Sequence, residues 1–200
     1  MQPFRGVAVL AVLCGSLAFG LDTSTLKPTG YVNDFAHAID ARAASELETY
    51  CANVERATGA QFAIVTLDTL NDEPVEDVAN RLFTQWGIGK KTTNEGLLIL
   101  LAIKDRKNRV EVGYGLEPIV PDGYAGGVLR GIRPILRQGN YGGALLAAAQ
   151  QFGVDAARGR DRDFPLIGEA ALRRQAVAGL ERAVGDLGGN GIGKLQVLEL

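Results

Sequence analysis

Histidine, cysteine, methionine and tryptophan are nearly missing from this chain of 200 residues, which has one His, two Cys, one Met and one Trp. A lone histidine excludes the paired Cys and His ligands of a zinc site, and it leaves a hydrolytic triad incomplete. No Gly-x-Ser-x-Gly turn stands in for one. An excess of either charge is also lacking. Twenty-one Lys and Arg against 23 Asp and Glu leave a formal charge of −2. With the signs interspersed there is no basic face for a phosphate backbone and no acidic tail, which argues against nucleic acid as a partner. Apolar runs are short. The longest at the N-terminus, residues 7–13, falls well below the roughly 20 residues that a spanning helix needs.

What the N-terminus does have is the layout of a secretory signal peptide: Arg5, then that apolar run, then Ala18-Phe19-Gly20 with small residues at the cleavage positions. Cleavage near Gly20 is expected, with Ser16-Leu17-Ala18 as an alternative site, so that residues 1–20 leave and the mature chain is exported to the periplasm or secreted. Lipidation at Cys14 is disfavoured by the bulky Leu13 before it. Loss of Cys14 leaves Cys51 without an intramolecular partner. Cys51 shares a helical face with Ile39, Ala43, Leu47, Tyr50 and Val54, which predicts a buried thiol that packs as a small hydrophobe.

Hydrophobic residues make up 46% of the chain, enough for one real core in a single domain. Residues 21–30 form a polar leader with Pro28, and 31–36 are expected as a loop packed onto the domain. A helix follows over 40–58, with Asp40 as N-cap and Gly59 as stop. The apolar run 60–67 suits a strand covered on both faces. After Pro74, apolar residues at helical spacing run from Val75 to Trp86 and end at Gly87. The run 97–103 and the alternating Val110 and Val112 predict a hairpin joined through 104–108. Helical spacing returns over 125–136, where Pro134 is expected to kink or shorten the helix, and again over 141–152. The order predicts a three-layer α/β/α sandwich with a mixed, mainly parallel central sheet containing one β-hairpin. Residues 153–200 turn charged and then Gly-rich and are expected to form an extension, with nothing in it long and apolar enough to span a membrane.

Most residues able to do chemistry have a structural explanation. His37 suits the approach to the first helix. Cys51 and Arg56 lie inside a helix and not on a phosphate-cradling loop. Gly113-Tyr114-Gly115 follows a strand but lacks the third glycine and immediate helix of a dinucleotide fingerprint. What remains is oxygen chemistry at element ends: Asn33 and Asp34 before the first helix, Asn94 and Glu95 before the hairpin, Glu117 after it, and Asp122 before the third helix. Hard cations such as Ca²⁺ take this mixture of carboxylate, amide and carbonyl oxygens. Asp34 and Asp122 are equally able to serve only as helix caps.

Several spaced segments, in order, carry a resemblance: Tyr31-Val32-Asn33-Asp34-Phe35-Ala36, Thr58-Gly59-Ala60-Gln61, Asn80-Arg81-Leu82-Phe83 with Trp86-Gly87-Ile88-Gly89, Asn94-Glu95-Gly96-Leu97-Leu98, and Val112-Gly113-Tyr114-Gly115-Leu116-Glu117 with Pro121-Asp122. Together they resemble the TPM domain over residues 31–152. The resemblance implies a three-layer sandwich, export or membrane association, and a divalent-cation site, Ca²⁺ or else Mg²⁺, on the loops just named. Thylakoid-lumen relatives are associated with photosystem II repair and acid phosphatase activity, and animal relatives are accessory proteins of membrane receptors. Many bacterial members carry a transmembrane segment after the domain, and none is expected within residues 153–200.

Two functions follow as expectations. The first is an accessory module that presents a cation-ordered loop edge to an envelope or membrane protein, with Asp34, Asn94, Glu117 and Asp122 as ligands and Asn33, Glu95 and Tyr114 as contact residues. The second is a metal-assisted phosphomonoesterase, to which Arg109, Lys90 and Lys91 could be brought from neighbouring loops. A third reading leaves the acidic residues as capping and turn chemistry alone.

Overall fold

The computed structural model describes residues 20–90 and 92–159. Residues 1–19, on which the expected signal peptide falls, Lys91 and residues 160–200 of the expected extension lie outside the described residues. Four strands form one sheet in the order β1 (Val32–Asp34), β2 (Gln61–Leu67), β3 (Gly96–Ala102), β4 (Lys107–Val112). The first three are parallel and β4 returns antiparallel to β3 as the expected hairpin.

Alternation along β2 and β3 divides the core in two. Phe62, Ile64, Leu97, Ile99 and Leu101 face the layer built by α1 (Ala41–Thr58), α3 (Asp122–Gly131), α4 (Arg133–Arg137) and α5 (Tyr141–Gly159). Ala63, Val65, Leu67, Leu98 and Leu100 face α2 (Val75–Trp86). Every residue of β3 is buried. Each large aliphatic side chain buried there contributes about 1.5–3 kcal/mol, which explains why the central strands are nearly continuous apolar runs.

Local signals act as expected. The Asp40 carboxylate accepts from Ala43 N at 2.9 Å, and Gly59 closes α1 with φ 73°. The break at Ile132, with Pro134 just inside α4, divides the expected helix over 125–136 into two. The expected helix over 141–152 continues to Gly159, because Val154, Ala156 and Ala157 remain buried.

One segment differs in kind. Residues 32–34, expected as loop, form edge strand β1. Three residues are too short to show a period, and it is pairing that makes them a strand: Val32 registers with Ile64, and Ile64 N donates to Tyr31 O at 2.7 Å. Glu48 on α1 anchors the same segment by accepting from Val32 N at 2.8 Å and Tyr31 N at 3.2 Å.

The leader lies across α2. Trp86 Nε1 donates to Leu26 O at 3.1 Å, Gln85 Nε2 to Thr23 O at 3.0 Å, and Leu21 N to the Glu73 carboxylate. No helix among the described residues is long and apolar enough to cross a membrane.

Candidate functional site

At the amino end of the parallel strands, two loops lock together through glycine. Gly113 N donates to Gly96 O at 2.8 Å, and Gly115 N to Asn94 O at 3.1 Å. A Cβ on Gly113 would run into the carbonyl oxygen of Asn94, and one on Gly115 into that of Thr93. The glycines are therefore required by close backbone approach, as a turn reading and not a nucleotide reading predicts. Asn94 sits at φ 51°, a left-handed conformation that asparagine tolerates better than most residues. Between the two pinned glycines Tyr114 is forced outward and is 79% exposed, the one large hydrophobic so placed among the described residues. Glu95 lies against Gly115, whose added Cβ would meet its Cγ at 2.7 Å. Asn94 and Glu117 are exposed on the same edge.

Asn33 and Asp34 are elsewhere. Asp34 ends β1 in register with Thr66, whereas Gly96 registers with Gln61. Five residues of strand separate these levels, roughly 16 Å at ~3.3 Å per residue. A cation whose ligands stand about 2.4 Å away cannot join Asp34 to Asn94 and Glu117. The Asp34 carboxylate is also engaged: it accepts from Ala38 N at 3.0 Å, from Ile39 N at 2.9 Å and from the Thr66 hydroxyl. It holds the turn that leads into α1. Asn33 is buried, accepting from Thr29 N at 2.8 Å and donating to Gly30 O at 3.1 Å. Asp122 is exposed in the first turn of α3, where its charge favours the helix N-terminus. No group of three or more His, Cys, Asp and Glu able to hold a metal occurs among the described residues. The four expected ligands thus do not fit one cation site. Asn94, Glu95, Tyr114 and Glu117 share an edge, and Asp34 with Asn33 belongs to the other.

Cys51 is fully buried. Burial, and secondarily the Glu48 carboxylate, push its thiol up to about 12, which removes it as a nucleophile. His37 is exposed beside the Asp34 turn. Arg109, one of the basic residues considered for a phosphate, pairs with Glu111 at 3.4 Å.

The carboxyl edge of the sheet carries what pattern reading missed, a cleft of about 810 Å³ between the hairpin turn and the α4–α5 connection. Arg106, Lys107, Arg133 and Arg137 line it. Residues 106–107 and 133–137 are short basic segments in the sequence, but only the folded chain sets them face to face.

No curated protein matches the chain. Solved structures similar to it include the N-terminal domain of a protein from P. gingivalis, at 27% identity and TM-score 0.54, covering 81% of this chain and 91% of that one. The N-terminal domain of the cg2496 protein from Corynebacterium glutamicum is similar in fold, at 16% identity and TM-score 0.53 over 72% of this chain and 92% of that one. So is the BA42 protein of the psychrophilic Bizionia argentinensis, at 19% and 0.54 over 64% and 88%. The TPM domain matches residues 32–154, more than half of the chain and the whole span from β1 into α5. The chain belongs to the TPM domain family.

Proposed function

We propose that this chain is an exported accessory module of the cell envelope, which presents the edge formed by its two glycine-locked loops to a partner protein. The observation that carries this reading is Tyr114, held 79% exposed between two glycines whose backbone is fixed by neighbouring carbonyls. On a backbone fixed before binding, a tyrosine side chain has only two torsions to lose on contact, which is why such residues anchor interfaces. Asn94, Glu95 and Glu117 lie on the same edge and are the residues that would hold a Ca²⁺ or Mg²⁺ ion there. A cation there would favour the ordered form of the loops and so any partner that recognises it. Asp34 has no part in that edge.

The test places a photocrosslinking amino acid at position 114 of the full chain in cells, with position 42 on the outer face of α1 as control. A discrete envelope protein crosslinked from 114 alone is expected. Identical patterns from both positions, or recovery of the protein from the cytosol, would overturn the proposal. Calorimetric titration with Ca²⁺ and Mg²⁺ tests the ion separately: Glu95→Gln with Glu117→Gln weakens binding, and Asp34→Asn leaves it unchanged.

A further inference from the structure

The cleft at the carboxyl edge lies about the length of the sheet away from the Tyr114 loops, and its chemistry is of the opposite sign. Four cationic side chains line it, Arg106 and Lys107 from the hairpin and Arg133 and Arg137 from α4, and no acidic residue does. None of these four side chains makes a hydrogen bond or ion pair within the described residues. Two carboxylates at the carboxyl edge, just past β2 and in the hairpin turn, are committed elsewhere. Asp68 pairs with Lys104 at 2.9 Å, and Asp105 accepts from Leu70 N at 2.6 Å and from the Thr69 hydroxyl at 3.2 Å. A chain of net charge −2 has thus gathered four cations around one concavity, none of them in an ion pair among the described residues, with Arg133 at the border of a second recess that Glu76 and Asp122 line.

Like charges held together without counter-charges repel, and a multiply charged anion relieves that repulsion while accepting the forked hydrogen bonds of arginine. The floor is different. Val75, Leu101, Ala102, Ile103 and Leu136 supply apolar surface under the charged rim. A volume of about 810 Å³ is that of a small-molecule site. The place also suits a ligand, because the carboxyl ends of parallel strands are where open α/β sheets bind them.

We propose that this cleft binds a small organic anion carrying more than one negative charge on a compact apolar body. The charged group sits among Arg106, Lys107, Arg133 and Arg137, and the apolar body lies on Leu101, Ile103 and Leu136. The site is independent of the Tyr114 edge, so either stands if the other fails.

Calorimetric titration of the full chain with phenyl phosphate and with benzene-1,3,5-tricarboxylate tests the proposal and separates phosphoryl from carboxylate heads. Saturable one-to-one binding of at least one of them is expected, falling as salt is raised. Arg133→Gln with Arg137→Gln should weaken it at least about tenfold with the thermal midpoint unchanged, since both residues are exposed. Arg42→Gln with Arg56→Gln removes the same charge from the outer face of α1 and should change affinity less than about twofold. Equal weakening by the two pairs would reduce the effect to the field of the whole molecule and overturn the site. So would the absence of saturable binding at millimolar ligand. Inorganic phosphate binding as tightly as phenyl phosphate would overturn the apolar half of the assignment.

Discussion

Replacing Asp34 by alanine separates a structural carboxylate from a ligand. Its two oxygens accept two backbone N–H groups, at 3.0 and 2.9 Å, and one hydroxyl. Hydrogen bonds to a charged group contribute about 1.5–3 kcal/mol each, and an N–H left without a partner costs about 1–3 kcal/mol when buried. Asp34 is half-buried and water can reach part of what is vacated, so the whole change is expected to cost about 2–4 kcal/mol and not the sum. For a domain of this size that is a fall of roughly 6–16 °C in thermal midpoint. Urea unfolding should show a lower midpoint with unchanged slope. Thr66→Val removes the hydroxyl that donates to Asp34 and accepts from Ala36 N at 3.3 Å. The double variant should fall short of the sum of the single effects by about 1 kcal/mol. A loss under about 0.5 kcal/mol, together with abolished cation binding, would refute the assignment of Asp34 to the turn.

Gly115→Ala is expected to cost about 1–3 kcal/mol, because its Cβ would enter the space of the Thr93 carbonyl. Gly123→Ala in α3 meets nothing within 4 Å and should stabilise by about 0.5–1 kcal/mol; urea midpoints of equal sign would contradict the loop geometry. In a Cys14→Ser chain, Cys51 should react with a thiol reagent only as the protein unfolds, and fast stoichiometric labelling of the native state would exclude its burial. Tyr31 donates to Glu55 at 2.6 Å, and that bond, with burial behind it, raises its phenol from 10.0 to about 12. Tyr124 reaches about 12 chiefly through burial and then through Asp155. Below pH 10 both phenols are protonated whether the chain is folded or not, and their stabilisation is fully present. Between pH 10 and 12 the unfolded chain ionises first, so stability falls with rising pH. Phenolate absorbance should show these two groups titrating late, and Tyr31→Phe should flatten part of the alkaline loss.

The sheet's central strands, α1, α2 and the hairpin were legible in the sequence because burial imposes a period and caps mark the ends. Phe62 to Leu67 and Leu97 to Ala102 could hardly be anything but covered strands, and Asp40 with Gly59 delimits α1 without help from the rest of the fold. Cys51 was placed by the same helical face on which it is found buried. Tertiary structure decided the remainder. Val32 to Asp34 became a strand only through the register of β2, and α5 ran on to Gly159 because partners across the core cover its last two turns. Residues adjacent to element ends look alike in a sequence, whichever end of the sheet they reach. Asp34 and Glu117 therefore read as one cluster, and strand direction sets them at opposite edges. Arg106 and Arg137, 31 positions apart, read as ordinary surface, and the turn of the hairpin and the break at Ile132 bring them to one cleft. Local chemistry is written along the chain, whereas which loops converge depends on the direction and register of strands, which no local pattern encodes.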